Sequence, residues 1–174
     1  MNAIILYGSR YGAARRYAEA LAAKTGITAE PYRTKRDISG YDTIIYFGSL
    51  YAGRVTGLAQ TAARLSVRQK VVIATVGLAN PDDNANADTI RAAVRRQVPD
   101  GVYAQAKLFF LRGGINYKAL SLRHRVMMWA FRRILLKTPP EERTAETKAI
   151  LDTYGQTVDF VDLGRLDEIE KAML

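Results

Sequence analysis

Residues 3–16 read AIILYGSRYGAARR, and this stretch combines a short apolar run, a glycine-containing loop and an Ala-rich segment. The apolar run is typical of a strand buried on both faces of a parallel sheet. Gly8 ends the run, and the residues after Gly12 predict a helix over 13–24. Backbone N–H groups at such a helix start form a natural site for an anion.

An apolar run followed by glycine occurs at three further places. These runs and their glycines are 43–47 with Gly48, 71–76 with Gly77, and 106–111 with Gly113 and Gly114. A weaker strand is predicted at 29–33, and helices at 58–66 and 87–97. Alternating strands and helices predict an α/β domain with a mainly parallel sheet, covered on both faces, that binds ligands beyond the carboxyl ends of its strands.

The amino-acid composition excludes several kinds of catalytic and metal site. The 174 residues suffice for one well-buried domain, and we expect residues 1–174 to form a single one. With no cysteine and one histidine, the chain lacks the residues for a disulfide framework, an iron–sulfur cluster, a zinc site or a conventional serine triad. No apolar run approaches the roughly 20 residues of a spanning helix, and residues 1–7 do not lead into a signal-peptide pattern, so we expect a cytoplasmic protein.

The net charge of +9 is concentrated in one segment. Residues 101–140 contain no Asp or Glu, whereas the rest of the chain is nearly neutral. Within this segment, residues 120–137 contain no helix breaker and predict a basic helix. On a helical projection, Val126, Met127, Ala130 and Ile134 share one face, and Arg125, Trp129, Arg132 and Leu136 share another.

The residues that follow predict one more helix. Glu141 and Glu142, with Thr144 and Thr147 after them, form the acidic and hydroxyl-rich start that favours a helix N-terminus. We expect a long final helix whose buried stripe consists of Ile150, Leu151, Tyr154 and Val158. This helix is interpreted as structural.

Three known families with this architecture require residues that are missing here. A dinucleotide-binding fold requires Gly-x-Gly-x-x-Gly after its first strand, and a P-loop requires a Gly-Lys-Ser/Thr ending. A phospho-receiver domain requires acidic residues at the ends of its first and third strands, where this chain has Gly8 and Gly48. None of the three matches.

The loop instead resembles the phosphate loop of flavodoxins, which has the form Thr/Ser-x-Thr-Gly-x-Thr. Ser9 and Gly12 match its first and fourth positions, whereas Tyr11 and Ala14 depart from it. The resemblance implies a flavodoxin-like, doubly wound sheet of five parallel strands in the order 2-1-3-4-5. It also implies FMN as cofactor, with its phosphate held by backbone amides, Ser9 and either Arg10 or Arg15.

Flavodoxins bracket the isoalloxazine ring with the turns after their third and fourth strands. The corresponding turns here are residues 49–54 and 77–80, so the resemblance implies that Tyr51 stacks on the ring. The second turn has no aromatic residue, which would leave one ring face open to a substrate. The expected cofactor-binding residues are Ser9, Arg10, Tyr11, Gly12, Ala13, Ala14, Ser49, Leu50, Tyr51, Ala52, Gly53, Gly77, Leu78 and Ala79.

Over its whole length, the chain is similar to flavodoxin-domain proteins related to menaquinone-dependent protoporphyrinogen oxidase. The segment LRGGINY at 111–117, followed by the basic helix, resembles their insertion after the last strand, here placed at 113–143. The resemblance implies an oxidoreductase that passes electrons from an organic substrate to a quinone, with flavin chemistry and no catalytic side chain. The alternatives are a soluble FMN electron carrier for redox protein partners and a flavin-free binding module. Typical flavodoxins are acidic, unlike this chain.

The basic helix has three interpretations. It packs on the sheet with solvated arginines, it lies on an anionic membrane surface at the inner face of the membrane, or it binds an anionic substrate such as a tetrapyrrole carrying propionates. Nucleic acid is not expected, because no recognised binding motif is present. The residues expected at a substrate or membrane surface are Arg112, Tyr117, Arg123, Arg125, Trp129, Arg132 and Arg133.

Overall fold

The computed structural model describes residues 2–173. Its strands and α-helices, in chain order, are β1 (Ala3–Gly8), α1 (Ala13–Thr25), β2 (Ala29–Pro31), β3 (Thr43–Tyr51), β4 (Arg54–Val55), α2 (Leu58–Ala62), β5 (Lys70–Gly77), α3 (Asn84–Arg95), α4 (Asp100–Tyr103), β6 (Lys107–Arg112), β7 (Gly114–Asn116), α5 (Leu122–Leu135), α6 (Ala145–Asp152), β8 (Thr157–Asp159) and α7 (Leu166–Met173). Among these residues, no helix combines the length and the apolar composition that crossing a membrane requires.

Five parallel strands form the sheet in the order β2-β1-β3-β5-β6. Counted among the parallel strands alone, this is the predicted order 2-1-3-4-5, because β4 pairs only with the end of β3 and runs antiparallel to it. The register pairs Gly8 with Gly48 and Gly77 with Arg112, so the carboxyl ends of the strands meet at one edge. In sheets of this type, ligands bind at that edge.

Helices cover both faces of the sheet, because successive side chains of a strand point to opposite faces. On one face, α1 and α7 pack on a core that includes Ile5 and Phe47. On the other face, α2 and α3 pack on Ile4 and Tyr46. Burial on both faces explains why the strands are continuously apolar rather than alternating.

Gly8 permits a close approach between the end of β1 and the loop after β4. A Cβ atom at this position would overlap the carbonyl oxygen of Thr56. The glycine that ends the first apolar run is therefore required by packing at the carboxyl edge.

Residues 113–160 form a cap over this edge and contain β7, α5, α6 and β8. β7 and β8 pair as an antiparallel ribbon. The apolar side chains of the cap cluster around Ile115, Met128 and Ile150, and the same cluster includes Tyr11 and Leu78 from the loops of the sheet. The cap therefore packs directly on the loops in which the sequence predicts a binding site.

The structure selects the packing face of the basic helix. In α5 only Met128 is buried, with Phe131 and Leu135 partly buried beside it, whereas Val126 and Ile134 are exposed. Apolar residues occur around the whole circumference of this helix, so periodicity alone does not identify the face that packs.

The predicted long final helix is also wrong in its extent. Thr144 caps α6 as expected, accepting a hydrogen bond from the Thr147 N–H at 3.2 Å, but α6 ends at Asp152. Gly155 then adopts a φ of +81°, and Val158 lies in β8 instead of a helix. The last helix on the sheet is α7, which the sequence analysis did not predict.

Candidate functional site

Two serine hydroxyls shape the loop between β1 and α1. The Ser9 Oγ accepts a hydrogen bond from the Gly12 N–H at 3.1 Å, and the Ser49 Oγ accepts one from the Arg10 N–H at 3.3 Å. Gly12 has a φ of +93°, a conformation that favours glycine. Because a hydroxyl both accepts and donates, Ser9 still has a proton to offer a ligand.

The start of α1 is electropositive. Its first turn contains no acidic residue, and the amides at a helix N-terminus carry a partial positive charge. Arg15 and Arg16 extend from this turn, but they form ion pairs with Glu19 and Asp159 at 2.6 and 2.8 Å. An anion at this position would therefore be bound by the loop amides and Ser9 rather than by Arg15.

Tyr51 lies at the end of β3 with two side chains against its ring. The Arg10 guanidinium carbon is 4.0 Å from the ring centroid, which is the geometry of a cation–π contact. The Phe131 ring of α5 lies 5.0 Å away, centroid to centroid. Part of the aromatic surface that could stack on a flat ligand is thus in contact with the protein itself.

A carboxylate from α6 binds the turn after β5. Glu146 Oε1 accepts a hydrogen bond from the Leu78 N–H at 3.0 Å, and Oε2 accepts one from the Ala79 N–H at 3.0 Å. Burial raises the pKa of Glu146 above its ordinary value, although the two N–H groups and the nearby charge of Arg112 act in the opposite direction. Two amide donors at the strand end therefore hold an acceptor group that belongs to the cap.

Arg112 supports the same turn. Its Nε and Nη2 atoms donate hydrogen bonds to the Leu78 carbonyl at 3.2 and 3.1 Å. The guanidinium carbon also lies 3.8 Å from the centroid of the Phe160 ring. Arg112 was expected at a substrate or membrane surface, but its guanidinium instead fixes the turn at Leu78.

Tyr11 joins the β1–α1 loop to α5. Its hydroxyl donates a hydrogen bond to the Met128 sulfur at 2.8 Å. Burial, the largest cause, raises the pKa of Tyr11 to about 12, so the hydroxyl keeps its proton at neutral pH. The helix is thereby attached at its inner face to the predicted phosphate loop.

The space between these loops and the cap, here called the edge cavity, has a volume of about 40 Å³. Pockets for drug-sized ligands measure roughly 300–1,000 Å³. A second space of about 350 Å³, the side cleft, lies beside α3 and the turn after β3. The two spaces share Leu50, Phe131, Glu146 and Ile150 as lining residues. These four side chains therefore lie between the two spaces.

Comparison with protein families identifies the architecture. A family profile described as a flavodoxin domain matches residues 4–141, which is most of the chain. The chain belongs to the flavodoxin domain family. No curated protein matches the chain.

Solved structures similar to this flavodoxin domain are distant. A flavodoxin, WrbA-like protein from Agrobacterium tumefaciens is 15% identical, covers 99% of both chains and has a TM-score of 0.48. A flavoprotein in complex with FMN from Lactobacillus acidophilus is 13% identical, with a TM-score of 0.45, over 64% of this chain and 91% of its own. A mutant flavodoxin from Pseudomonas aeruginosa is 15% identical and has a TM-score of 0.40. The match covers 75% of this chain and 93% of the flavodoxin chain. The family assignment rests on the profile.

The structure brings the predicted cofactor residues of the flavodoxin domain to one edge of the sheet. Residues 9–14, 49–53 and 77–79 form three neighbouring loops there. Members of all three loops line the edge cavity, namely Tyr11, Ala13, Ser49, Leu50, Tyr51, Gly77 and Leu78. Binding of a cofactor by these residues stays a prediction.

The predicted surface residues separate into two groups. Those exposed on α5 are Arg123, Arg125, Trp129 and Arg133. Tyr117 is buried instead, with its ring 5.3 Å from the Tyr154 ring, and burial raises its pKa to about 12. Arg132 is half-buried, 4.9 Å from the centroid of the same Tyr154 ring. The expectation that Tyr117 lies on a surface is therefore wrong, because it packs inside the cap.

Glu146 and Phe131 are site candidates that the sequence pattern does not single out. An acidic residue in the first turn of a helix is ordinarily explained by the helix dipole, so the sequence position of Glu146 does not indicate a role in a binding site. Met128, Phe131 and Leu135 recur at helical spacing, which is a usable signal for the inner face of α5. That signal is obscured by the apolar residues on the rest of the helix.

Proposed function

We propose that this flavodoxin domain binds FMN and acts as an oxidoreductase that passes electrons from an organic substrate to a quinone. The observation that carries the proposal is the convergence of the Ser9 loop, the Tyr51 turn and the Leu78 turn at one sheet edge. When bound, FMN supplies hydride and electron transfer at its isoalloxazine ring. The protein then binds the cofactor, orients it and shields it from water.

The residues at the phosphate end fit this cofactor. The loop at residues 9–14 offers backbone amides, the N-terminus of α1 and the Ser9 hydroxyl to a dianion. Tyr11 and Ala14 stand where the flavodoxin pattern has threonines, so backbone donors carry more of the binding. Arg10 belongs to the same loop and forms no ion pair within residues 2–173.

The donors at the ring end fit as well, but the room for a ring requires the cap to move. The N–H groups of Leu78 and Ala79 would be available to acceptor atoms of a flavin once Glu146, which now accepts both hydrogen bonds, is displaced. Phe131 packs on the Tyr51 ring, so a flat ring that stacked on this side of Tyr51 would have to displace it. We infer that both side chains are displaced on binding, which joins the edge cavity to the side cleft.

Side chains of the cap also support the proposed substrates, a quinone and an anionic organic molecule. Met128 and Leu135 give the site an apolar wall against which a quinone ring can pack. The arginines of α5 offer partners for the carboxylates of an anionic organic substrate. This basic surface is opposite in sign to that of soluble flavodoxins, which favours an oxidoreductase related to menaquinone-dependent protoporphyrinogen oxidase over a carrier that serves protein partners.

FMN titration of the purified protein tests the cofactor. Binding should quench flavin fluorescence, and Ser9→Ala should weaken binding by about 10-fold, since hydrogen bonds to charged groups contribute roughly 1.5–3 kcal/mol. Ser39→Ala is the matched control, because its hydroxyl contacts only an exposed loop around Asp37. The proposal fails if wild type neither quenches FMN nor gains thermal stability from it.

One observation favours a second candidate, a flavin-free binding module, because the edge cavity is closed to about 40 Å³. Failure of FMN binding would support that candidate. If FMN binds, anaerobic reoxidation of the reduced protein tests the acceptor. Fast reoxidation by menadione supports the oxidoreductase, whereas reoxidation by cytochrome c alone supports the electron carrier.

A further inference from the structure

The outer face of α5 exposes a concentration of apolar side chains. Seven large apolar residues are exposed within residues 2–173, and five of them are Leu122, Val126, Trp129, Ile134 and Leu136. Their exposed fractions range from 42% at Leu136 to 78% at Leu122. Single exposed apolar residues are ordinary in soluble proteins, but a contiguous patch marks a surface that binds something.

Basic side chains are interleaved with this patch. At 100° per residue, Val126 and Arg133 lie on the side of α5 away from Met128, the buried residue of the helix, and Lys137 follows shortly after the helix end. Within residues 2–173 no ion pair involves Arg123, Arg133 or Lys137. Because residues 101–140 contain no Asp or Glu, the charge of this face is not neutralised from its own segment.

The inner face of the same helix is attached to the domain. Met128 accepts the hydrogen bond of Tyr11, and Phe131 packs on Tyr51. The helix therefore lies flat on the domain with one side bound and the other side free. An extended planar partner can contact the whole free side at once.

We propose that α5 binds the surface of an anionic lipid bilayer, with its axis in the plane of the membrane. Leu122, Val126 and Trp129 enter the boundary between headgroups and acyl chains, while the arginines bind the lipid phosphates. A nucleic acid would satisfy the same cations but would leave these apolar side chains in water. The interleaving of both kinds of side chain thus favours lipid.

This placement has a consequence for the site beneath the helix. Phe131 of α5 contacts Tyr51 on the inner side of the helix, so a membrane-bound domain holds its edge cavity close to the bilayer, where a lipid-dissolved quinone is available. That consequence rests on the proposed function. Binding of α5 to lipid does not rest on the proposed function, because this binding requires no flavin.

Vesicle flotation of the full chain, without added FMN, tests the proposal. We expect binding to vesicles that contain phosphatidylglycerol, little binding to phosphatidylcholine alone, and loss of binding in high salt. Arg123→Glu with Arg133→Glu should weaken binding by about 10-fold or more, since each basic residue near an anionic surface adds electrostatic attraction that its reversal turns into repulsion. Arg68→Glu with Arg96→Glu is the matched control, because it makes the same charge change at exposed positions outside the cap.

Trp129 gives a second readout, because it is the single tryptophan of the chain. Its fluorescence emission should shift to shorter wavelength when anionic vesicles are added. Val126→Ser should reduce vesicle binding. The control Val67→Ser, at an exposed position outside the cap, should leave vesicle binding unchanged. Equal binding by both double-charge variants would overturn the proposal. Binding to duplex DNA without binding to vesicles would also overturn it. A failed FMN titration leaves these results unaffected, so the two proposals fail separately.

Discussion

The sheet and the cap hold their apolar side chains in different ways. In the sheet, Ile5, Ile45, Phe47 and Val72 lie between two helical layers and have no exposed surface. In the cap, α5 has one buried residue, Met128, among its 14 residues. Regions with few buried apolar contacts open at lower free energy than the core of a domain. The sheet is therefore the rigid scaffold, and the cap is the part that can move away from it.

This difference explains how one flavodoxin domain can contain flavin-type donors and a closed cavity. The donors belong to loops fixed by strand ends, whereas Phe131 and Glu146, which line the cavity, belong to the cap. Ligand binding then requires movement of the weaker region only. Three measurements test whether the cap is the weaker of the two regions.

The largest effect should come from truncating the same residue type in the two regions. Phe47→Ala should lower the free energy of unfolding by about 3–5 kcal/mol, because it leaves a cavity between α1 and the sheet. Phe131→Ala should cost less than about 2 kcal/mol, because its ring is only partly buried and the cap can collapse around it. Urea denaturation of both variants measures the two values. Equal losses would show that the cap is as integral to folding as the sheet.

An intermediate effect should appear in FMN affinity. Phe131→Ala should tighten FMN binding by about 10-fold, or roughly 1.4 kcal/mol, because the closed state loses a contact that opposes binding. Trp129→Ala is the matched control on the outer face of the same helix, and it should leave FMN affinity unchanged in the absence of lipid. Weaker binding by Phe131→Ala than by wild type would show that this ring holds the flavin instead of blocking it.

The smallest effect should be a pH dependence of the closed cap. Burial raises the pKa of Glu146 in the closed state, so this state binds a proton more readily than the open or unfolded chain. The closed state therefore loses stability as pH rises from the ordinary value of 4.5 through the raised pKa. FMN affinity of wild type should increase over that interval relative to Glu146→Gln. A ratio of the two affinities that stays constant with pH would contradict the role given to Glu146.

The sheet was predictable from the chain because its signals are local and repeated. Each run such as 43–47 is apolar throughout and ends at a glycine, and parallel strands buried on both faces require that composition. The three segments at this edge follow from these strand ends, which is why local patterns predict that Tyr51 and Leu78 lie at the same edge of the sheet. The helix cap at Thr144 was predictable for the same reason, since it depends on neighbouring residues alone.

The cap was not predictable in the same way. Strands of three residues, such as β7 and β8, are too short to show a period, so Val158 was assigned to a helix. In α5, apolar residues on all sides left the packing face undecided until the contacts of Met128 and Phe131 selected it.

Local sequence alone was sufficient for the five strands of the parallel sheet, their alternation with helices, the glycine edge and the location of the basic segment, because each depends on residues close together in the chain. Tertiary packing decided that Glu146 binds the Leu78 and Ala79 amides, that Phe131 contacts Tyr51, and which side of α5 faces water. These contacts join residues far apart in sequence, and their energies exist only when the cap is docked on the sheet.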